Sequence, residues 1–186
     1  MATEIEKKYR LTLEQRDALS RRLRQVGATL HCREFEENTM YAGVGLDPRR
    51  QVLRLRRVGG AAVFTYKERH ESASAIKRHR EDETRVEDAT ALASILEALG
   101  YRPTLVYEKR RSTWHIRQTE VVLDELPFGL FVEIEGEEND ITEIENLLDL
   151  SSAEAEMSTY PELAAHYGER RGGIIEARFQ MTLPEV

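Results

Sequence analysis

Cysteine occurs once in the chain, as Cys32. That excludes an internal disulfide framework and any multi-cysteine zinc cluster, and leaves a small, partly buried hydrophobe as its expected role. No apolar run approaches the roughly 18 residues that a membrane-spanning helix needs, so no membrane partner is expected. The first ten residues, MATEIEKKYR, are too charged for the apolar core of a secretory signal, and the cytoplasm is the expected compartment. An excess of positive charge is missing too. Lys and Arg number 27 against 34 Asp and Glu, a net charge of −7, which argues against a nucleic-acid partner. Lysine itself is scarce, because 22 of those 27 basic residues are arginine. Positive charge is therefore carried mainly by forked donors that suit phosphate or carboxylate. What is present, 186 residues with 40% hydrophobic side chains, is enough to bury a core without staples, and one domain over residues 1–186 is expected.

Apolar spacing predicts a helix over residues 12–27, with Thr12 as N-cap, Gln15 completing a capping box, Leu13, Leu19, Leu23 and Val26 on one stripe, and Gly27 as the stop. A second is predicted over 88–100, opened by Asp88 and closed by Gly100. A third covers 140–149 with Asp140 as its cap, and another starts near Pro161. Period-two alternation marks strands at 3–11, 38–43, 51–58, 61–69, 77–87, 104–116, 120–125 and 130–137. Turn residues at Asp47–Pro48, Gly59–Gly60 and around Pro127 with Gly129 fit antiparallel hairpins. The segment after Gly172 carries no pattern that assigns it. An α+β protein dominated by antiparallel sheet follows.

The alternation has an unusual content, because the polar partner of each apolar residue is so often a full charge. Glu4, Glu6 and Lys8 share a face of the first strand. Arg54 and Arg56 alternate with Leu53 and Leu55, and Lys67 follows Thr65. Glu81 shares a face with Glu83, and Lys109 shares one with Arg111. Glu133 and Glu135 alternate with Phe131, Val132 and Ile134. For any one strand this reads as a solvated face. Taken together the strands are nearly single in sign, and like charges at i and i+2 repel, so something must compensate them. Closing the eight strands into a barrel with these faces inward supplies the compensation: acidic strands hold divalent cations and basic strands hold a polyanion. Lys8, Arg54, Arg56, Lys67, Lys109 and Arg111 give six positive charges. Glu4, Glu6, Glu81, Glu83, Asp124, Glu133 and Glu135 give seven negative ones, a balance of −1. Two divalent ions raise that to about +3, which suits a triphosphate of roughly −4. Carboxylate ligands favour Mg²⁺ or Mn²⁺ over zinc.

The opening Glu4-x-Glu6-x-Lys8 resembles the signature of the CYTH superfamily, the triphosphate tunnel metalloenzymes. Further segments match that family's strand motifs in order: LRLR at 53–56, FTYK at 64–67, Glu81-x-Glu83, EKRR at 108–111, LDEL at 123–126, FVEIEG at 131–136 and STYPEL at 158–163. Two places depart from the pattern. His79 stands where a preceding arginine is usual, and the acidic Asp-x-Tyr piece is altered to Asn38, Thr39, Met40 and Tyr41. The resemblance implies an eight-stranded antiparallel β-barrel, or tunnel, with helices packed outside, a triphosphate lying inside, and one or two Mg²⁺ or Mn²⁺ ions. Lys8, Arg54, Arg56, Lys67, Lys109 and Arg111 would bind phosphate. Glu4, Glu6, Glu133 and Glu135, supported by Glu81, Glu83 and Asp124, would serve the metals, and the catalytic roles would fall on Glu4, Glu6 and Lys8. A homodimer is compatible with that family.

Phosphoryl hydrolysis needs charge neutralisation and an oriented water more than a covalent nucleophile. The leading expectation is therefore a metal-dependent triphosphatase acting on inorganic triphosphate, thiamine triphosphate or a nucleoside triphosphate. With a ribose 3′-hydroxyl in place of water, the same tunnel would act as a class IV adenylate cyclase and release pyrophosphate. A non-catalytic binder of polyphosphate or nucleotides is the alternative of a different class. Lys8 serves as a phosphate contact or as a base, and Tyr160 as a lid residue or as packing. His79, His115 and His166 are expected to have no catalytic role.

Overall fold

A computed structural model describes residues 2–69 and 77–180. The side chains of Glu4 and His79 lie outside the described residues. The chain runs through β1 (Ala2–Leu11), α1 (Leu13–Gln25), β2 (Thr29–Ala42), β3 (Gln51–Val58), β4 (Ala61–Arg69), β5 (Lys77–Val86) and α2 (Ala89–Ala98). It continues as β6 (Arg102–Ile116), β7 (Thr119–Leu126), β8 (Gly129–Glu135), α3 (Glu138–Leu147), the two-residue β9 (Glu154–Ala155), α4 (Tyr160–Tyr167), β10 (Glu169–Arg171) and β11 (Ile174–Ala177).

Antiparallel ladders link β6 to β2, β2 to β3, β3 to β4, β4 to β5, β5 to β1, β1 to β8, β8 to β7, and β7 back to β6. Eight strands thus follow one another around a ring. The ladder is staggered at β1, whose first half pairs with β5 and whose second half pairs with β8, so the sheet curves around a tunnel and is not a flat plate. Sequence explains the tight corners. At Gly59 and Gly60, with φ of 54° and 82°, both central residues of the β3–β4 turn sit where a side chain is disfavoured, the requirement of a two-residue hairpin that matches strand twist.

Helices cover the outer face. Leu19 and Leu23 of α1 and Ile141 and Ile144 of α3 bury against Tyr9, Val121, Val132 and Ile134. Leu96 of α2 packs on Tyr41, Leu53 and Leu55. Tyr160, Leu163 and Ala164 of α4 form a third cluster with Met40, Leu105, Tyr107, Leu126 and Phe131. Three of these residues, Met40, Tyr107 and Tyr160, also line the lumen, so α4 packs against the barrel at the edge of its cavity. Among the described residues no helix is long and apolar enough to cross a membrane.

Three boundaries differ from the sequence expectation. β2 begins at Thr29 and not at residue 38, because residues 29–37 pair with β6 across a bulge between Leu30 and Cys32 that breaks the two-residue period. α3 begins at Glu138 after Glu137, which makes no side-chain cap bond. Asp140 is therefore not the cap; it sits in the first turn, where a carboxylate meets the positive end of the helix dipole. The tail forms the β10–β11 hairpin, and β11 adds to the far edge of β6 in parallel. α1 carries the expected capping box between Thr12 and Gln15, and α4 has a box of its own between Thr159 and Glu162, with Pro161 in its first turn as expected.

Candidate functional site

Alternation sends every second side chain of the ring into its interior, and there the charges gather. A cavity of about 260 Å³ is lined by Glu6 and Lys8 of β1, Arg54 and Arg56 of β3, Lys67 of β4, Glu81 and Glu83 of β5, Lys109 and Arg111 of β6, and Glu133 and Glu135 of β8. Asp124 of β7 is buried and reaches the same space through Arg111 and Lys109. Twelve of the thirteen charged residues singled out from the sequence meet in this lumen. The thirteenth, Glu4, has its backbone in β1.

The carboxylates divide into two groups. Glu6, Glu133 and Glu135 offer oxygens that all lie within 4.8 Å of one another, which brings three hard donors within reach of one cation. The others, and Glu133 as well, pair with the bases. Arg111 donates to both oxygens of Asp124, at 2.9 Å from Nε and 2.6 Å from Nη2, and to Glu133 at 2.8 Å. Lys109 stands 3.4 Å from Asp124 and 3.4 Å from Glu36. On the β3–β5 wall, Glu83 accepts from Thr65 at 2.7 Å and lies 3.3 Å from Arg56 and 3.4 Å from Arg54, while Lys67 pairs with Glu81 at 2.7 Å.

These contacts outweigh desolvation. Burial pushes the Glu36 carboxyl up, yet Lys109, Arg111 and Arg56 together bring it down to about 2. Burial likewise opposes Asp124, and the Arg111 and Lys109 charges hold it far below the usual carboxylate range. Glu83 is lowered, against burial, by the Thr65 hydroxyl and the two arginines. Arg111 is raised well above its ordinary value by Asp124, Glu36 and Glu133 in spite of its own burial. All these groups are fixed in their charged forms at neutral pH.

Two side-chain donors stand out. The Nε–H groups of Arg54 and Arg56 are buried without a hydrogen-bond partner among the described residues. A buried donor left unpaired costs about 1–3 kcal/mol, and both arginines line the one cavity.

Glu36 and Asn38 were not read from the sequence. Both are fully buried on the inward face of β2, where Asn38 donates to Glu36 at 3.2 Å. The available signal was their i, i+2 spacing with Met40, which was masked because the outward partner Phe35 is apolar and half exposed. Tyr160 lines the lumen and is packed. Its ring covers the Lys8 ammonium at 3.9 Å and the Lys109 ammonium at 5.2 Å, and meets Phe131 edge-on. Burial and the carboxylates of Asp124 and Glu133 push its phenol far up. Lys8 also donates to the Ser158 carbonyl at 3.1 Å and pairs with Glu133 at 3.3 Å.

With the geometry in view, comparison places the chain. The CYTH domain model matches residues 2–164, and the chain belongs to that family. It is 26% identical, over 78% of its length and 84% of the relative's, to the MJ0240 protein of Methanocaldococcus jannaschii, provisionally named an adenylate cyclase. Among solved structures it is similar to the PH1012 protein of Pyrococcus horikoshii OT3, with a TM-score of 0.76 and 25% identity, covering 86% of this chain and 98% of that one. The fold is also shared with a Hippeastrum protein, HpAC1, provisionally named an adenylyl cyclase and described as having a dominant triphosphatase activity. There the TM-score is 0.67 and the identity 18%, covering 87% and 94% of the two chains.

Proposed function

We propose that the protein is a divalent-cation-dependent enzyme that binds a triphosphate in the lumen and hydrolyses it. The observation that carries this reading is the lining of one cavity by six basic side chains, Lys8, Arg54, Arg56, Lys67, Lys109 and Arg111. Guanidinium forks and ammonium groups spread along one channel match a row of phosphate oxygens better than a single carboxylate or sulfate.

Charge balance supports a metal requirement. Glu6, Glu36, Glu81, Glu83, Glu120, Asp124, Glu133 and Glu135 supply eight carboxylates against six cations. The lumen carries a surplus of two negative charges before any substrate enters, so a triphosphate of about −4 needs divalent ions beside it. The Glu6, Glu133 and Glu135 oxygens fit a hard oxygen-seeking ion such as Mg²⁺ or Mn²⁺. When bound, such an ion supplies Lewis acidity toward phosphate oxygens and lowers the pKa of water. The chain's own residues do the rest. Arg54, Arg56 and Lys67 hold one stretch of the phosphate chain from the β3–β4 wall. Lys109 and Arg111, held by Asp124 and Glu36, stabilise negative charge that builds during transfer. Lys8, fixed by Ser158 and Tyr160, is a phosphate contact.

A second reading, cyclisation of ATP to cyclic AMP and pyrophosphate, is favoured by the name of the Methanocaldococcus relative. One assay separates them. Purified protein is incubated with inorganic triphosphate, thiamine triphosphate, ATP and GTP in Mg²⁺, Mn²⁺ or chelator, and the products are resolved. Orthophosphate released only with metal is expected. Cyclic AMP with pyrophosphate as the main products from ATP would replace hydrolysis by cyclisation. Tight metal-dependent binding without turnover would leave a binder in place of an enzyme.

A further inference from the structure

A second basic site lies outside the barrel. Arg16, Ser20 and Arg24 form an i, i+4, i+8 stripe on α1, and this stripe faces the outward row Arg110, Ser112 and Trp114 of β6. Between them is a cleft of about 200 Å³, with Arg33 of β2 at its side and Leu123 and Leu130 completing an apolar floor. The β6–β7 register pairs Ser112 with Leu123 and Arg110 with Glu125. The neighbouring pair, Arg111 with Asp124, points to the lumen, so the cleft and the tunnel lie back to back across one strand pair.

Charge in the cleft is unbalanced. Of its four arginines, Arg16 pairs with Asp17 at 3.0 Å and Arg110 with Glu125 at 2.8 Å. Arg24 and Arg33 have no ion pair or hydrogen bond from their guanidinium groups among the described residues; Arg24 only lies over the Trp114 ring at 5.7 Å. Two positive charges are left uncompensated beside an aromatic surface. The Trp114 indole N–H is itself buried without a hydrogen-bond partner among the described residues, an arrangement that costs about 1–3 kcal/mol.

We propose that this cleft is a second anion site, separate from the lumen, which takes a phosphate monoester carrying an apolar or aromatic body. The dianionic head matches the two free guanidiniums, since a phosphate monoester carries about −1.5 to −2 at neutral pH, and a monocarboxylate would leave half of that charge unmet. The body rests on Trp114, Leu123 and Leu130, which a bare inorganic anion would leave unused.

Trp114 is the chain's single tryptophan and so reports on the cleft directly. Phenyl phosphate and inorganic phosphate are titrated into three proteins, the wild type, Arg24→Ala with Arg33→Ala, and Arg54→Ala with Arg56→Ala, with tryptophan emission excited at the red edge and calorimetry as the second readout. Phenyl phosphate is expected to give a saturable change that weakens at least tenfold in the Arg24/Arg33 variant and persists in the lumen variant. Loss of the response in the lumen variant with retention in the Arg24/Arg33 variant would assign it to the tunnel and overturn the proposal. So would inorganic phosphate binding as tightly as phenyl phosphate, or no saturable response by either readout. Arg24 and Arg33 are exposed, and an unchanged melting temperature verifies that their removal leaves the fold intact. Because turnover plays no part, failure here leaves the reading of the lumen untouched.

Discussion

Replacing Glu36 by Gln removes one charge from the most enclosed part of the lumen while keeping shape and one acceptor. Its carboxylate is 1% exposed and stands 3.4 Å from Lys109 and 3.8 Å from both Arg56 and Arg111. Its pKa falls from an ordinary 4.5 to about 2 in the folded chain. At 1.36 kcal/mol per pH unit, that drop corresponds to about 3 kcal/mol of stability at neutral pH, a large part of the ~5–15 kcal/mol available to a domain. The folded pKa is depressed, so the contribution is fully present above the unfolded value and is lost as pH falls from about 4.5 toward about 2. Urea unfolding of wild type and Glu36→Gln at pH 7.0, 5.5 and 3.5 measures it. A deficit of about 3 kcal/mol is expected at the two higher pH values and about 2 kcal/mol at pH 3.5. In a thermal melt the neutral-pH deficit lowers Tm by about 6–12 °C for a chain of this size. Saturating inorganic triphosphate with Mg²⁺ should shrink the deficit, because the ligand takes over compensation of the three bases. A deficit below ~1 kcal/mol at neutral pH, or one that does not diminish between pH 5.5 and 3.5, would refute the assignment of Glu36 as the counter-charge of this basic group.

Truncating Arg54 or Arg56 to Ala removes charge-assisted bonds worth about 1.5–3 kcal/mol each, so the KM for triphosphate should rise about 10- to 100-fold per arginine; steady-state kinetics with Mg²⁺ held constant would show it. Asp124→Asn and Glu135→Gln should fail differently. The first removes the bidentate partner of Arg111 and one of the two counter-charges of Lys109 and costs about 3–5 kcal/mol in urea unfolding, whereas the second keeps stability within about 1 kcal/mol and weakens metal dependence of activity about 10- to 100-fold. Gly168→Ala places a Cβ 2.6 Å from the Ala164 carbonyl oxygen and 2.8 Å from the Ile175 side chain. It should destabilise by about 1–3 kcal/mol, visible as a lower Tm with activity per folded molecule unchanged.

The strands that the sequence exposed are those whose two faces differ in kind. In β3, Leu53 and Leu55 go out to α2 while Arg54 and Arg56 go in. In β8, Val132 and Ile134 go out to α1 and α3 while Glu133 and Glu135 go in. Binary alternation is a direct image of that geometry. The first half of β2 gives no such image. Thr29, His31, Arg33 and Glu34 all face solvent, the Leu30–Cys32 bulge shifts the phase, and Phe35 turns outward while Glu36 turns in. There the usual rule of apolar inside and polar outside is inverted, so the pattern reads as irregular. β11 is hidden for another reason: four residues in a parallel pairing with β6 depend on a neighbour some 70 positions earlier, and no local period records that.

The same limit explains the carboxylates. Sequence spacing places Glu6, Asp124 and Glu133 on inward faces, but spacing says nothing about which cation each one meets around the ring. Cross-strand register decides that. Asp124 lies opposite Arg111 in the β6–β7 ladder and is taken up by it, whereas Glu6 lies opposite Glu135 in the β1–β8 ladder. Two carboxylates held directly across from each other on adjacent strands are destabilising unless a positive charge intervenes. Glu133, which Lys8 and Arg111 also contact, lies in the same 4.8 Å group, so the register gathers three carboxylates at one point of the lumen while Arg54 and Arg56 line another wall. That grouping is the basis of the proposal that a divalent ion sits beside Glu6, Glu133 and Glu135 and a phosphate chain along the arginines, and it arises from how the strands are paired around the ring.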